Sequence, residues 1–232
     1  MLVVVGLGNP GSEYSATRHN VGWMTLDTLA GRVSATRFRR EKSVEAAEGR
    51  VGDEKIYLLK PQTYMNRSGQ ALASWLGWFG EVREALRTRE ARGTNPPPTN
   101  PRPTRQDRAD DAECNWPGLM VVTDDVNLPL GRMRFRPTGS AGGHNGLSDI
   151  EKALGGRGYP RLRIGVGAPP GRMDRADYVL SRFASDDRSL VEKVAEAAAG
   201  AVVDWARDGM DAVRGKYNGM ILGGGAAQGT AE

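Results

Sequence analysis

The chain opens on a β-branched run, Leu2-Val3-Val4-Val5, stopped at once by Gly6 and followed by the turn Gly8-Asn9-Pro10-Gly11. Consecutive apolar residues with no polar alternation suit a strand buried on both faces, the kind found between layers of helices. The next stretch, Ala16 to Ala30, places Val21, Met24, Thr28 and Leu29 at helical spacing, so the order is strand, turn, helix.

Ile56 to Leu59 reads as another strand, ended by Lys60-Pro61. Asn66 to Phe79 carries Leu72, Trp75, Leu76 and Phe79 on one face of a helix, with Asn66 in front where a short polar side chain caps it. Leu119 to Thr123, Arg132 to Arg136 and Arg161 to Val166 read as strands, with a helix from about Gly146 to Leu154 between the last two and an amphipathic helix over Leu190 to Ala206. The alternation predicts an α/β fold: a single domain, residues 1–218, with a mixed, largely parallel central sheet flanked by helices. A Pro-rich insertion, 87–117, interrupts it, and 219–232 reads as a flexible tail of small residues. Thr94 to Pro103 has too few backbone donors for helix or sheet, so the insertion is expected to be a disordered, partly extended excursion. Its length costs a fold little entropy.

Lys and Arg total 32 against 28 Asp and Glu, a net charge of +4 that permits a nucleic-acid partner without requiring one. A single cysteine, Cys114, rules out a disulfide framework. With only His19 and His144 beside it, the sequence shows no cluster of metal-ligand spacing, so no metal and no cofactor are expected. The longest apolar runs fall far short of the roughly 18 to 20 residues that cross a bilayer. The expected setting is the cytoplasm, with no membrane partner.

Gly6-Leu7-Gly8-Asn9-Pro10-Gly11 satisfies the letter of a dinucleotide-binding fingerprint. Its surroundings do not, because Asp27, the candidate ribose ligand, falls inside the first helix and no second strand precedes it. Pro10 also removes a backbone N–H where a phosphate cradle needs one. Asp124-Asp125-Val126-Asn127 resembles the start of a calcium loop, but Pro129 stands where a ligand is required and the glycine at the sixth position is missing.

Polar residues gather just past the strand ends: Asn9, then Asn66, then Asp124 with Asp125. Ligands of open α/β sheets lie beyond the carboxyl ends of strands. No serine sits in a nucleophile elbow, so water is the natural attacker. A neutral histidine takes water's proton when a carboxylate holds its other ring N–H, and His19 with Asp124 is the candidate pair. Asn66 or Asn145 supplies amide donors for the developing charge. Arg132, Arg134 and Arg136 alternate with Met133 and Phe135, a cationic rail on a strand whose apolar pair enters the core. Tyr14 and Tyr64 suit stacking on an unpaired base. Taken singly, these are ordinary residues: a first-turn histidine, helix caps, a solvated strand face, packing aromatics. Their joint presence is what points to a site.

Five ordered blocks carry a resemblance: Val5-Gly6-Leu7-Gly8-Asn9-Pro10-Gly11 with Tyr14; Thr17-Arg18-His19-Asn20-Val21-Gly22; Thr63-Tyr64-Met65-Asn66-Arg67-Ser68-Gly69; Asp124-Asp125 with Leu128-Pro129-Leu130-Gly131; and Gly142-Gly143-His144-Asn145-Gly146-Leu147. Together the chain resembles the bacterial peptidyl-tRNA hydrolase family from residue 1 to about 207. The resemblance implies cytoplasmic, metal-free hydrolysis, by a monomer, of the ester joining a peptide to the 3′ end of tRNA. It implies His19 as general base, Asp124 as its orienting carboxylate, and Asn9 as the residue that distinguishes N-blocked from free aminoacyl ends. Tyr14, Tyr64, Asn66 and Asn145 would bind the terminal adenosine and peptide ester, and Met65 would shape the pocket. Arg134, Arg136 and Arg163 would approach tRNA phosphates near the acceptor end. Thr123 and Asn127 depart from the family, which commonly has His and Asp there. The rival readings are a noncatalytic RNA-binding protein on the same scaffold and, third, a dinucleotide-binding oxidoreductase.

Overall fold

A computed structural model describes residues 1–88 and 114–223. Leu2–Gly6 forms β1, and its apolar run is split between two cores: Leu2 and Val4 enter one, Val3 and Val5 the other. It lies mid-sheet between β4 (Glu54–Pro61) and β5 (Leu119–Asp125), parallel to both, and β7 (Arg161–Gly165) extends the parallel part beyond β5. The edges are antiparallel: β3 (Val44–Val51) and β2 (Arg39–Glu41) on one side, β6 (Met133–Arg136) on the other. The sheet order is β2-β3-β4-β1-β5-β7-β6.

Helices α1 (Val21–Arg32), α6 (Arg188–Asp208) and α7 (Met210–Tyr217) pack on the Leu2/Val4 face, joined by Tyr178 and Val179 of α5 (Arg175–Leu180). The other face is covered by α2 (Ser68–Trp78), α3 (Gly80–Thr88) and α4 (Asn145–Leu154). The single mixed sheet flanked by helices is as expected, with parallel pairing confined to its four central strands.

Two strands escape the sequence reading. Val44 to Val51 is rich in Ala and Glu, which favour helix, yet it pairs along its whole length with β4, and tertiary pairing overrides local preference. Its presence does not revive the dinucleotide reading, because β2 and β3 run antiparallel and Asp27 sits within α1, paired with Lys60. Gly6 and Gly8 of the fingerprint serve packing instead. A Cβ on Gly6 would lie 2.6 Å from the Gly22 carbonyl oxygen, and one on Gly22 would lie 2.6 Å from the Leu7 backbone, so strand and helix approach as only glycine allows.

Two expected helix starts shift. α1 begins at Val21 instead of Ala16, because Thr17 bridges to Arg182 and Arg18–Asn20 form a 3-10 turn. α2 begins at Ser68, and Asn66 lies in the 3-10 turn Met65–Arg67 instead of capping it. The cap comes from α4: Asp149 Oδ2 accepts from the backbone N–H of Gly69 at 2.8 Å and of Gln70 at 3.1 Å. This ties the amino ends of α2 and α4 together. Asp149→Ala is expected to cost about 1 to 2 kcal/mol in urea unfolding, the usual loss of a helix cap.

The two sides of the expected insertion meet within the described residues. Gly118 N–H donates to the Leu86 carbonyl at 3.2 Å, and Trp116, within the expected insertion, is buried with its N–H on the Gly158 carbonyl. The stretch Thr94 to Pro103 lies outside the described residues. At the other end the described chain runs past 218: Leu222 N–H donates to the Gly131 carbonyl at 2.8 Å and Ile221 bridges Arg132.

Candidate active site

The carboxyl ends of β1, β4 and β5 open into a cleft of about 480 Å³. Asn9 follows β1, Tyr64 to Asn66 follow β4, and Asp124 and Asp125 end β5; the Arg18–Asn20 turn and the amino end of α4 bring His19, His144 and Asn145. Strand order reverses direction about β1, the place where open α/β sheets take ligands.

At its floor Asp124, 3 % exposed, faces two imidazoles. His19 Nδ1 lies 2.9 Å and His144 Nε2 3.0 Å from the same oxygen, Oδ1. Burial alone would push the Asp124 carboxyl up, but His144 and His19 outweigh it and hold it well below the ordinary carboxylate range. An ionised carboxylate only accepts, so both facing nitrogens carry protons. Donating Nδ1–H leaves His19 with Nε2 as its acceptor, a ring nitrogen with no hydrogen-bond partner among the described residues.

His144 has a different fate. Its Nδ1 accepts from the backbone N–H of Gly146 at 3.1 Å and of Leu147 at 3.3 Å, so the imidazole caps α4. Its Nε2–H is shared between Asp124 and the hydroxyl of Thr123, 2.8 Å away. Both ring nitrogens are thereby engaged, and His144 has no site for a further proton without surrendering the cap. His144 and not Asn145 is the α4 cap, whereas sequence reasoning singles out only Asn145 for the site.

His19, Asp124 and His144 offer three ligand-type atoms within 4.8 Å of one another. This corrects the expectation drawn from spacing, since elements far apart in sequence make the group. The residues fit a hydrogen-bonded triad better than a metal site, because each offered nitrogen points its proton at Asp124.

Asn9 is held from three sides. Its Oδ1 accepts from Met65 N–H at 2.8 Å, while Asn20 accepts from the Asn9 N–H at 2.9 Å and donates to its carbonyl at 3.0 Å. With Oδ1 occupied, the Asn9 amide nitrogen is the group left to offer the cleft. Asn20, 1 % exposed, is a support that sequence reasoning misses; its place beside His19 is the available signal. Asn66 and Asn145 are exposed at the cleft with side-chain amides unbonded among the described residues. Asp149 takes the N–H groups of Gly69 and Gln70 in α2, and His144 those of Gly146 and Leu147 in α4, so much of each helix end is already occupied.

Tyr14, Tyr64, Met65 and Arg163 also line the cleft, Tyr64 at 61 % exposure and Met65 buried. Arg163 is braced there, with Nη1 3.3 Å from Asp125 and Nη2 donating to the Ser140 carbonyl at 2.7 Å. Asn127 donates to the other Asp125 oxygen through N–H and Nδ2, so of the two departures from the family pattern Asn127 supports a carboxylate, whereas the Thr123 hydroxyl meets His144. Arg134 and Arg136 lie outside the cleft on edge strand β6, in register with Arg163 and Arg161. Met133 and Phe135 are buried, whereas Arg132 precedes the strand instead of belonging to it.

The profile described as peptidyl-tRNA hydrolase matches residues 3–86 and 109–223. A protein named peptidyl-tRNA hydrolase from Chloroflexus aggregans is 41% identical over 219 residues, 94% of this chain and 99% of its own length. Another of that name from Syntrophomonas wolfei is 36% identical, covering 94% of this chain and all of its own. The crystal structure of peptidyl-tRNA hydrolase from Acinetobacter baumannii superposes with a TM-score of 0.74 at 26% identity, covering 95% of this chain and 96% of that one.

Proposed function

The chain belongs to the peptidyl-tRNA hydrolase family, and on that premise we propose that it cleaves the carboxylic ester between a peptide and the 3′ end of tRNA with water activated by His19. The observation that carries the reading is the 2.9 Å bond from His19 Nδ1 to Asp124, which leaves Nε2 as the basic atom at the cleft. Water gives its proton to Nε2 as its oxygen bonds to the ester carbonyl carbon. Asp124 holds the ring in the required tautomer and faces the imidazolium that forms. Collapse breaks the bond to the ribose oxygen, which takes the proton back from Nε2. The products are a peptide with a free carboxylate and tRNA with a free ribose hydroxyl.

The amides of Asn66 and Asn145 are suited to the oxygen where charge develops, and the amide nitrogen of Asn9 to the carbonyl of an N-blocked residue. Tyr14 and Tyr64 offer ring faces to the terminal adenosine, with Met65 shaping the floor. Arg163 at the cleft and Arg134 and Arg136 on the neighbouring strand make a path for acceptor-end phosphates. A monomer working in the cytoplasm completes the proposal; among the described residues no helix is long and apolar enough to cross a membrane.

The test is incubation with N-acetyl-aminoacyl-tRNA and with free aminoacyl-tRNA in the presence of a chelator. Cleavage of the blocked ester alone is expected; tight binding without turnover would establish the noncatalytic RNA-binding alternative. Replacing Arg134 and Arg136 together by Ala is expected to weaken tRNA binding and flatten its salt dependence by about 0.7 per lost phosphate contact, with kcat retained. Titration of affinity against salt reads this directly, and an unchanged slope removes the two arginines from the path.

A further inference from the structure

Arg18, the residue before His19, is spent on a segment more than a hundred and sixty positions later. Its Nη1 donates to the Arg182 carbonyl at 2.6 Å and to Ser181 Oγ at 2.7 Å, with the Ser181 carbonyl at 3.3 Å. Its backbone N–H also reaches the Ser181 carbonyl at 3.1 Å, and Thr17 bridges Arg182. The guanidinium lies 4.3 Å from the Tyr178 ring centroid and 5.1 Å from that of Phe183. One planar cation thus gathers two carbonyl groups, a hydroxyl and two aromatic rings, a combination suited to guanidinium and poorly served by a point charge.

What it gathers is the end of α5. That helix has six residues, too few to hold its own position. Its cleft side contributes Ala176, Val179 and Leu180, with its cap Asp174 beside them. Tyr178 is anchored by its hydroxyl to the Val166 carbonyl at 2.8 Å, near the end of β7. Arg18 supplies the complementary tie, to the turn that bears His19. His19 itself is fixed independently by Asp124.

We propose that Arg18 is a positioning residue that sets the spacing between the α5 wall and the His19 turn, and thereby the closeness with which the cleft holds its substrate. The inference rests on the peptidyl-tRNA hydrolase reading of the cleft. Because Asp124 fixes the base separately, loosening the wall weakens substrate binding and leaves the chemical step largely intact.

The test compares wild type, Arg18→Lys, Arg18→Met and Ser181→Ala in steady-state cleavage of N-acetyl-aminoacyl-tRNA, with hydrogen exchange followed over residues 175–183 and over β5. Arg18→Met is expected to raise KM on the order of tenfold, as when one charge-assisted hydrogen bond is lost. The change in kcat is expected to be much smaller and the pH profile of kcat unchanged. Arg18→Lys, which keeps the cation over the rings, falls between Met and wild type, and Ser181→Ala shows the smallest effect. Exchange should quicken over 175–183 and stay slow in β5. The proposal is overturned if KM and exchange at 175–183 match wild type, if kcat falls with KM unchanged, or if protection is lost in β5 as well, which marks a general folding role. Should wild type not cleave the ester, the functional reading fails, while exchange still decides whether Arg18 holds α5.

Discussion

Replacing His19 by alanine is expected to lower kcat by about 10² to 10⁴ and to leave tRNA affinity close to wild type. The split follows from the geometry. His19 is 8 % exposed and leaves one ring nitrogen to the cleft, so it offers a nucleic acid almost no surface. In the proposed reading binding falls to the amides of Asn66 and Asn145, the rings of Tyr14 and Tyr64, and the arginines near β6, none of which His19 touches through a hydrogen bond. Single-turnover cleavage of N-acetyl-aminoacyl-tRNA beside equilibrium binding of deacylated tRNA measures the two quantities separately. Loss of affinity comparable to loss of rate would mean that His19 holds substrate instead of activating water.

Asp124→Asn is expected to lose on the order of 10³ to 10⁴ in kcat, for a reason distinct from loss of the base. The carboxylate oxygen accepts from both His19 and His144, and a neutral amide has neither the charge nor the freedom to accept from both with equal strength. If its NH2 turns toward His19, the ring must accept at Nδ1 and carry its proton on Nε2, the wrong tautomer for a base. This variant also changes stability in a pH-dependent way. The Asp124 carboxyl is held well below its ordinary value in the folded protein, so its contribution is fully present above the unfolded pKa of about 3.9 and is lost as pH falls toward the folded value. The gap in urea stability between wild type and Asp124→Asn is expected to be flat from neutral pH to about 5 and to narrow below about 4. A gap that widens toward acid would reverse the assigned direction. The acid limb of the wild-type rate is therefore not expected to come from Asp124.

Strands whose hydrophobicity is continuous are legible in the amino-acid sequence alone: the runs at Leu2 and Leu119 become neighbouring central strands because nothing but burial on both faces suits them. β3 is not, because its Ala and Glu residues carry no strand preference and pairing with β4 and β2 selects the conformation. The same division holds at the cleft. Asn9 and Asn66 follow strands and Asp124 lies at the end of one, and residues at the carboxyl ends of parallel strands converge by topology alone. His144 as a second partner of Asp124, Thr123 as the hydroxyl sharing its proton, and Asn20 as the brace of Asn9 depend on side-chain direction, which periodicity does not encode. Arg163 illustrates the limit from the other side: its charge is visible in the sequence, its engagement by Asp125 and Ser140 is not.

The backbone hydrogen bond from Gly118 to Leu86, with the buried Trp116 just inside it, joins the two sides of the described chain. Because this seam is closed by the folded chain's own contacts, residues 88 and 114 are held to one region of the surface whatever length of chain joins them. A reporter domain or affinity handle with closely spaced ends could be grafted there. It would be tethered to the folded protein without passing strain to the histidine at the cleft floor.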